Sequence, residues 1–304
     1  MKRFIILYLT VFLPLYANAQ ALPFLAMEQS PVAAAKGGAS VTETSSTAWA
    51  SFTNSAAIPF SEMKGDISAG YSCWQPSVGK TNIIRLAGAY NINNKFGVGA
   101  GLSYGMMPGY DIYDETGSSN GTFKPSNLMA NFGFSWRFIK WLALGGNLGY
   151  ANEKLAESVS YGAFSTDIFL MTGFKGFKGA VGISNLGTKV TSASGNTYGL
   201  PTSLTAGIGY DASFAENHRL DVNLDLDYYF HQAFAAAIGA GYTFKDLVSL
   251  RAGYRYGGQS VIPSYASAGI GVKIVGITLD FAYLIASGES PMKNTLNVGL
   301  GYRF

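Results

Sequence analysis

The feature that most constrains this chain is an alternation of apolar with small or polar residues, which begins near Gly65 and recurs to the C-terminus. A period of two arises in a strand whose faces meet different surroundings, and a helix cannot present it. Beyond residue 20 no window holds the ~20 consecutive apolar residues that a membrane-spanning helix needs. Only 13% of the 304 residues are charged, against ~25% in ordinary soluble domains. A charge-poor chain patterned in this way fits a transmembrane β-barrel, with lipid on one face of each strand and a lumen on the other. A hydrophilic soluble enzyme and a polytopic helical membrane protein are both excluded.

Fourteen strands can be read from the apolar series, an even number as single-chain bacterial barrels require. Ile84, Leu86, Gly88, Tyr90 and Ile92 form one outward row. Leu220, Val222, Leu224, Leu226, Tyr228 and Phe230 form another, and Leu296, Val298, Leu300, Tyr302 and Phe304 close the chain. The fold expected is an all-β, antiparallel, fourteen-stranded transmembrane barrel over residues 65–304 in a diderm outer membrane. Short periplasmic turns and long outer loops are usual in such barrels. Tight connections near Asn93, Lys140, Lys175, Lys245 and Val275 are therefore assigned to the periplasm. The longer segments 108–125, 151–160, 187–200, 257–263 and 287–294 are assigned outside. Two connections fit less well: a short link at His231 falls outside, and a longer one at Asp211 to Asn217 inside.

The N-terminus sets the route. Lys2 and Arg3 precede an apolar run from Phe4 to Tyr16, and Ala17-Asn18-Ala19 supplies a small-x-small cleavage pattern, so residues 1–19 read as a signal peptide. Residues 20–64 are rich in Ala, Ser, Thr and Gly without sustained alternation, and are expected to fold partly inside the lumen as a plug. Cys73 is the single cysteine and cannot form an intrachain disulfide. Without Lys2 and Arg3 the chain carries 19 basic and 18 acidic residues, which gives no electrostatic reason to expect nucleic acid as a partner.

Fragments that mimic catalytic signatures lack the context their chemistry needs. Gly117-Ser118-Ser119-Asn120-Gly121 matches a nucleophile-elbow pattern but lies in a polar loop with no helix to follow. Gly79-Lys80-Thr81 resembles the end of a phosphate-binding loop, yet Trp74 stands where the first glycine is required. With only His218 and His231, zinc-site spacing is absent. Asp221, Asn223, Asp225 and Asp227 resemble the start of a calcium loop, but alternate with Val222, Leu224 and Leu226 and lack the turn glycine and closing glutamate. They read as an inward polar row. No catalytic residue, metal or cofactor is assigned.

Simple hairpin pairing sets Asp227 level with Ala237 and Arg255, and Asn223 level with Gly241 and Arg251. The strand between them presents Ala233, Ala235, Ala237, Gly239, Gly241 and Thr243 inward. Two strand spacings are ~9.6 Å, a gap that long side chains can close. A lumenal ladder is therefore expected in which Asp225 and Asp227 pair with Arg251 and Arg255 across a low wall, with Asp221 in the same acidic row.

Several motifs together resemble the PorV/PorQ outer-membrane family of type IX secretion, closer to PorV, itself related to the long-chain fatty-acid transporter barrels. They include Ala35-Lys36-Gly37-Gly38-Ala39 and Asn54-Ser55-Ala56-Ala57, with Lys36 and Ser55 where methionine and proline are usual. Tyr71-Ser72-Cys73-Trp74 and Gly121-Thr122-Phe123-Lys124-Pro125 follow. The most specific pair is Ile183-Ser184-Asn185-Leu186-Gly187-Thr188-Lys189 with Leu200-Pro201-Thr202-Ser203-Leu204. Leu250 to Gly257 and Leu279-Asp280-Phe281-Ala282-Tyr283 complete the series. The resemblance implies a non-enzymatic secretion component that passes cargo proteins to a sortase-like surface-attachment enzyme. The alternative is a transporter of hydrophobic or other small solutes. Outer-membrane lipids and the barrel-assembly machinery are the further partners implied, the latter reading Tyr302 and the terminal Phe304.

Overall fold

The computed structural model describes residues 20–192, 194–231, 233–258 and 262–304. The expected leader, 1–19, lies outside the described residues, as do positions 259–261 of one expected outer loop. The strands are β1 (Gly65–Trp74), β2 (Thr81–Ile92), β3 (Phe96–Met106), β4 (Tyr110–Tyr113), β5 (Ser119–Phe123) and β6 (Ser126–Ile139). Then come β7 (Leu142–Ala156), β8 (Val159–Phe174), β9 (Phe177–Gly187), β10 (Val190–Thr191), β11 (Thr197–Tyr198) and β12 (Ser203–Phe214). The last are β13 (His218–Tyr229), β14 (Ala233–Phe244), β15 (Val248–Tyr256), β16 (Tyr265–Ile274), β17 (Ile277–Ile285) and β18 (Leu296–Arg303).

Fourteen of these strands form one closed barrel. Neighbours run antiparallel, and β1 pairs with β18 from Asp66↔Arg303 to Cys73↔Leu296. Closure leaves no open edge, the condition for a sheet in hydrocarbon, where water cannot satisfy backbone groups. β4–β5 and β10–β11 are separate small hairpins within the two longest outer connections. The alternation becomes geometry directly: Ile67, Leu86, Phe164 and Ile208 are each about 60% exposed on the outer face, while Ser68, Arg85, Ser165 and Asn223 between such residues are buried inward. An apolar belt of this extent is tolerable only in contact with lipid.

Two connections differ from the sequence reading. Residues 151–160 are not an outer loop, because β7 and β8 continue through them to Ala156 and Val159; the ladder carries Asn152↔Gly162 and Glu153↔Tyr161 beyond the apolar belt. The inner link at 211–217 is shorter than read, since β12 runs to Phe214 and β13 starts at His218. Polar residues at these strand ends lie where strands leave the bilayer, so alternation fades before pairing does.

Segment 20–64 occupies the lumen as turns and short helical pieces, Pro23–Ala26, Pro31–Ala34, Thr47–Phe52 and Ser55–Phe60. Trp49 and Ile58 are almost wholly buried against the inner wall. Ser30 caps the second piece by accepting from the Ala33 N–H at 3.3 Å, and Asn54 caps the last through Ala56 N–H at 2.9 Å.

Several inner turns take left-handed backbone at two successive residues, as tight hairpins require. Asn93 and Asn94 (φ 54° and 52°), Lys245 and Asp246 (both 53°), and Val275 and Gly276 (48° and 83°) are examples. Asparagine tolerates this conformation, whereas a β-branched side chain is strained in it. Val275 is also 89% exposed, so no packing offsets the strain. Val275→Asn is expected to stabilise the barrel by about 1 kcal/mol, read as a higher temperature of heat-modified migration. An unchanged or lower temperature would count against strain at this turn.

Candidate functional site

The lumen is where chemistry-bearing side chains converge, and many of them grip the N-terminal segment. Gly37 and Gly38 have φ of 71° and 85° and bring the backbone against the barrel wall. A Cβ at Gly37 would stand 2.6 Å from the backbone nitrogen of Tyr254 on β15. Glycine is thus required there by both conformation and space. The Gly37 N–H donates to Ser267 Oγ on β16 at 2.8 Å.

This approach directs Lys36 into the acidic row. Its ammonium, 1% exposed, donates to Glu43, to Asp221 Oδ2 at 2.8 Å and to Asn223 Oδ1 at 2.8 Å. Burial opposes the charge of Lys36, but the carboxylates of Glu43 and Asp221 outweigh it and hold its pKa above the ordinary lysine value. Burial likewise opposes ionisation of Glu43, and Lys36 overcomes it, so its carboxyl lies well below the usual range.

The remaining inward polar residues repeat the theme. Asp225 Oδ2 accepts from the backbone N–H groups of Ser40 (2.7 Å) and Val41 (2.9 Å). Asp66 accepts from Ala48 N–H at 3.1 Å. Arg85 Nε donates to Gln29 at 2.7 Å and its Nη1 to Ser72 at 2.6 Å. Asn131, Asn147 and Arg137 donate to the carbonyls of Ser51 (3.0 Å), Thr53 (3.1 Å) and Pro59 (2.9 Å).

The expected ladder takes a different form. Arg255 Nη2 lies 3.5 Å from Asp227 Oδ2, whereas Arg251 pairs on its other side with Asp280 at 2.7 Å, and Asp225 bonds the plug backbone. Register is one cause: β13 and β14 pair as Asp227↔Ala235 and Asp225↔Ala237, two residues from the simple count, while Ala237↔Arg255 and Gly241↔Arg251 hold on the other side. The larger cause is that the low wall is occupied, since a Cβ at Gly239 or Gly253 would collide with Lys36 itself. In the sequence Lys36 is marked only as a departure from methionine, and Glu43 and Arg85 are not singled out. Arg85 was findable there, because it lies between outward Ile84 and Leu86. Tyr302 and Phe304 face outward, both about half exposed, with stacked rings 5.7 Å apart. The Phe304 carbonyl accepts from the Lys64 and Gly65 N–H groups at the seam.

Cavities flank the plug at three levels. An outer one of about 220 Å³ is lined by Leu22, Pro23, Leu155, Tyr161, Val190 and Tyr198. A middle one of about 100 Å³ is bounded by Leu25, Met27, Phe169, Asn185, Asp227 and Arg255. The inner mouth, about 340 Å³, is charged, with Lys178, Asp211, Arg219 and Asp246 among its walls. The middle cavity abuts an irregular stretch of wall. There the β8–β9 register shifts between Thr166 and Ile168, Asn185 turns left-handed at φ 55°, and Asp167 holds the Asn185 N–H at 2.7 Å. Pairing of β9 with β12 ends just there, at Ser203↔Ser184. Among the described residues no cluster of three His, Cys, Asp or Glu side chains could hold a metal.

The Lys36 anchor makes plug docking pH-dependent. Glu43 is lowered on folding, so its contribution is full above 4.5 and is lost as pH falls through the lowered value. Lys36 is raised, so its contribution is full below 10.5 and is lost as pH rises through the raised value. Lys36→Met leaves buried carboxylates unpaired and is expected to weaken docking by about 3 kcal/mol, seen as faster proteolysis of residues 20–64. Glu43→Gln should flatten the acid limb of that proteolysis profile; an unaltered limb would show that Glu43 does not govern it.

No protein-family model matches the chain, and no curated protein matches it. Solved structures do. The toluene transporter TodX of Pseudomonas putida superposes with a TM-score of 0.64 at 13% identity, over 90% of this chain and 97% of that one. A FadL homologue of Pseudomonas aeruginosa gives 0.54 at 11% identity, over 90% and 98%. Likeness at such identity establishes a shared fold. With its closed even-stranded wall and apolar belt, the chain is an outer-membrane β-barrel of the kind seen in FadL-type transporters.

Proposed function

We propose that the protein is a gated outer-membrane conduit for small hydrophobic or amphipathic solutes, with segment 20–64 as the gate. The observation that carries this reading is the middle cavity, enclosed by the plug and ending at the irregular β8–β9–β12 wall. Its lining joins apolar Leu25, Met27 and Phe169 to Asn185 and the charged Glu28, Asp225, Asp227 and Arg255, a mixture suited to a narrow passage for an amphipathic solute. A separate, mainly apolar pocket lies toward the outer end and a charged one at the inner mouth. The fold is that of proteins described as a toluene transporter and a FadL homologue. The plug is held by side-chain hydrogen bonds, ion pairs and apolar contacts such as that of Trp49 with Ala87, none of which belongs to the strand ladder, so the segment can release while the ladder stays intact.

In proteoliposomes the wild-type barrel should take up monoaromatic or medium-chain aliphatic probes faster than empty vesicles. A chain lacking residues 20–46 should add ion conductance in planar bilayers. No uptake of any apolar probe, with the barrel verified as folded, would sink the reading.

A second reading, a PorV/PorQ-like component of protein secretion, draws on the outer hairpin of β4 and β5. Tyr110 is 44% and Tyr113 62% exposed there, a surface suited to protein contact. On this reading, cargo or a sortase-like enzyme should co-purify with the protein from detergent-extracted outer membranes, and replacing residues 108–125 should abolish capture while leaving the barrel assembled. Bound lipid or apolar solute alone would favour the conduit. On either reading Tyr302 and Phe304 serve as the signal read by the assembly machinery.

A further inference from the structure

We propose that the inner, turn-bearing rim of the barrel binds the anionic headgroups of inner-leaflet phospholipids through a ring of lysines. The inner ends of the fourteen strands meet at six turns and at the β1–β18 seam. Lys64 at the seam, and Lys95, Lys140, Lys175 and Lys245 in four of the turns, are all exposed. The β12–β13 turn carries Glu216 and the β16–β17 turn Val275 instead.

Three observations place these ammonium groups at headgroup level. Lys95 Nζ lies 5.6 Å from the centroid of Phe96, Lys175 5.2 Å from Phe174 and Lys245 5.3 Å from Phe244. Lys140 follows exposed Ile139 and precedes exposed Trp141. Outward aromatics mark the boundary between hydrocarbon and headgroups, so a cation held over such a ring stands beside lipid phosphates. Second, none of the five lysines has a carboxylate within ion-pair distance among the described residues. Two of the rim acids turn to lumenal cations, Asp246 to Lys273 at 2.6 Å and Glu62 to Arg219 at 3.9 Å. Third, the lysines are spread around the circumference. A macromolecular partner would meet one patch, whereas an annulus of lipid meets every azimuth. The opposite end offers no such ring, since Asp111, Glu115 and Glu157 mingle there with Lys124, Lys154 and Lys189.

The inference is independent of what crosses the lumen. The full-length barrel is reconstituted in bilayers of mixed phosphatidylglycerol and phosphatidylcholine, then gently delipidated, and retained lipid is identified by native mass spectrometry. Phosphatidylglycerol should be enriched by about fivefold at an occupied rim position, and enrichment should fall as ionic strength rises. A variant carrying Lys64→Gln, Lys95→Gln, Lys140→Gln, Lys175→Gln and Lys245→Gln should lose the preference while keeping heat-modifiable migration. Lys80→Gln with Lys124→Gln and Lys189→Gln, at the other end, should keep it. Equal retention of both lipids by the wild type, or enrichment indifferent to salt, would overturn the proposal whether or not the variant folds. Undiminished enrichment in the folded five-lysine variant would do the same, as would lysine-dependent capture of a soluble acidic protein without lipid preference.

Discussion

An irregular segment can be enclosed within a barrel only if its backbone N–H and C=O groups find partners there, because an unpaired buried amide costs as much as the hydrogen bond it lacks. The wall supplies those partners from its inward rows. Asp66 and Asp225 accept from backbone N–H groups, and Asn131, Asn147 and Arg137 donate to backbone carbonyls. The inward face is therefore polar for a reason beyond contact with water. It is the complement of one particular path of residues 20–64, and the glycines along it mark where that path runs closest.

Electrostatics inside the lumen follow from the same arrangement. A buried charge is tolerated when paired and hydrogen-bonded, and Lys36 meets both conditions with Glu43 and Asp221. The small residues of β14, which would leave acidic and basic rows free to meet, instead make room for Lys36. Arg251 is then matched by Asp280, which also lies 3.7 Å from Arg303, and Arg303 stands 3.4 Å from Asp66. Charge on the wall thus gathers in two clusters, one around Lys36 and one at the seam near the chain's end, and Asp66 of the second also holds the plug through the Ala48 N–H.

The wall also departs from regularity at one place that the cavity touches. A left-handed Asn185 held by Asp167 interrupts the β8–β9 ladder, and bulges of this kind often re-aim a strand beside a functional site. The residues concerned belong to the Ile183 to Lys189 motif, so a sequence element that periodicity could not explain acquires a physical role as a break in pairing.

Alternation alone determined the barrel, its strand number, its outward rows and most of its turns, because a side-chain period of two is a local property that lipid and lumen impose on every strand separately. It also placed Asp221, Asp225, Asp227, Arg251 and Arg255 on the inner face. It blurred at 151–160 and 211–217, where strands outrun the bilayer and the outer face no longer needs to be apolar. Which inward residues meet was not legible. A register differing by two residues between β13 and β14 moves every cross-strand partner while leaving each side chain on its own face. The route of an aperiodic segment through the lumen carries no period to read. Tertiary structure decided that Lys36 meets Asp221 while Arg255 reaches only Asp227, because only the folded barrel brings residue 36 within reach of residue 221.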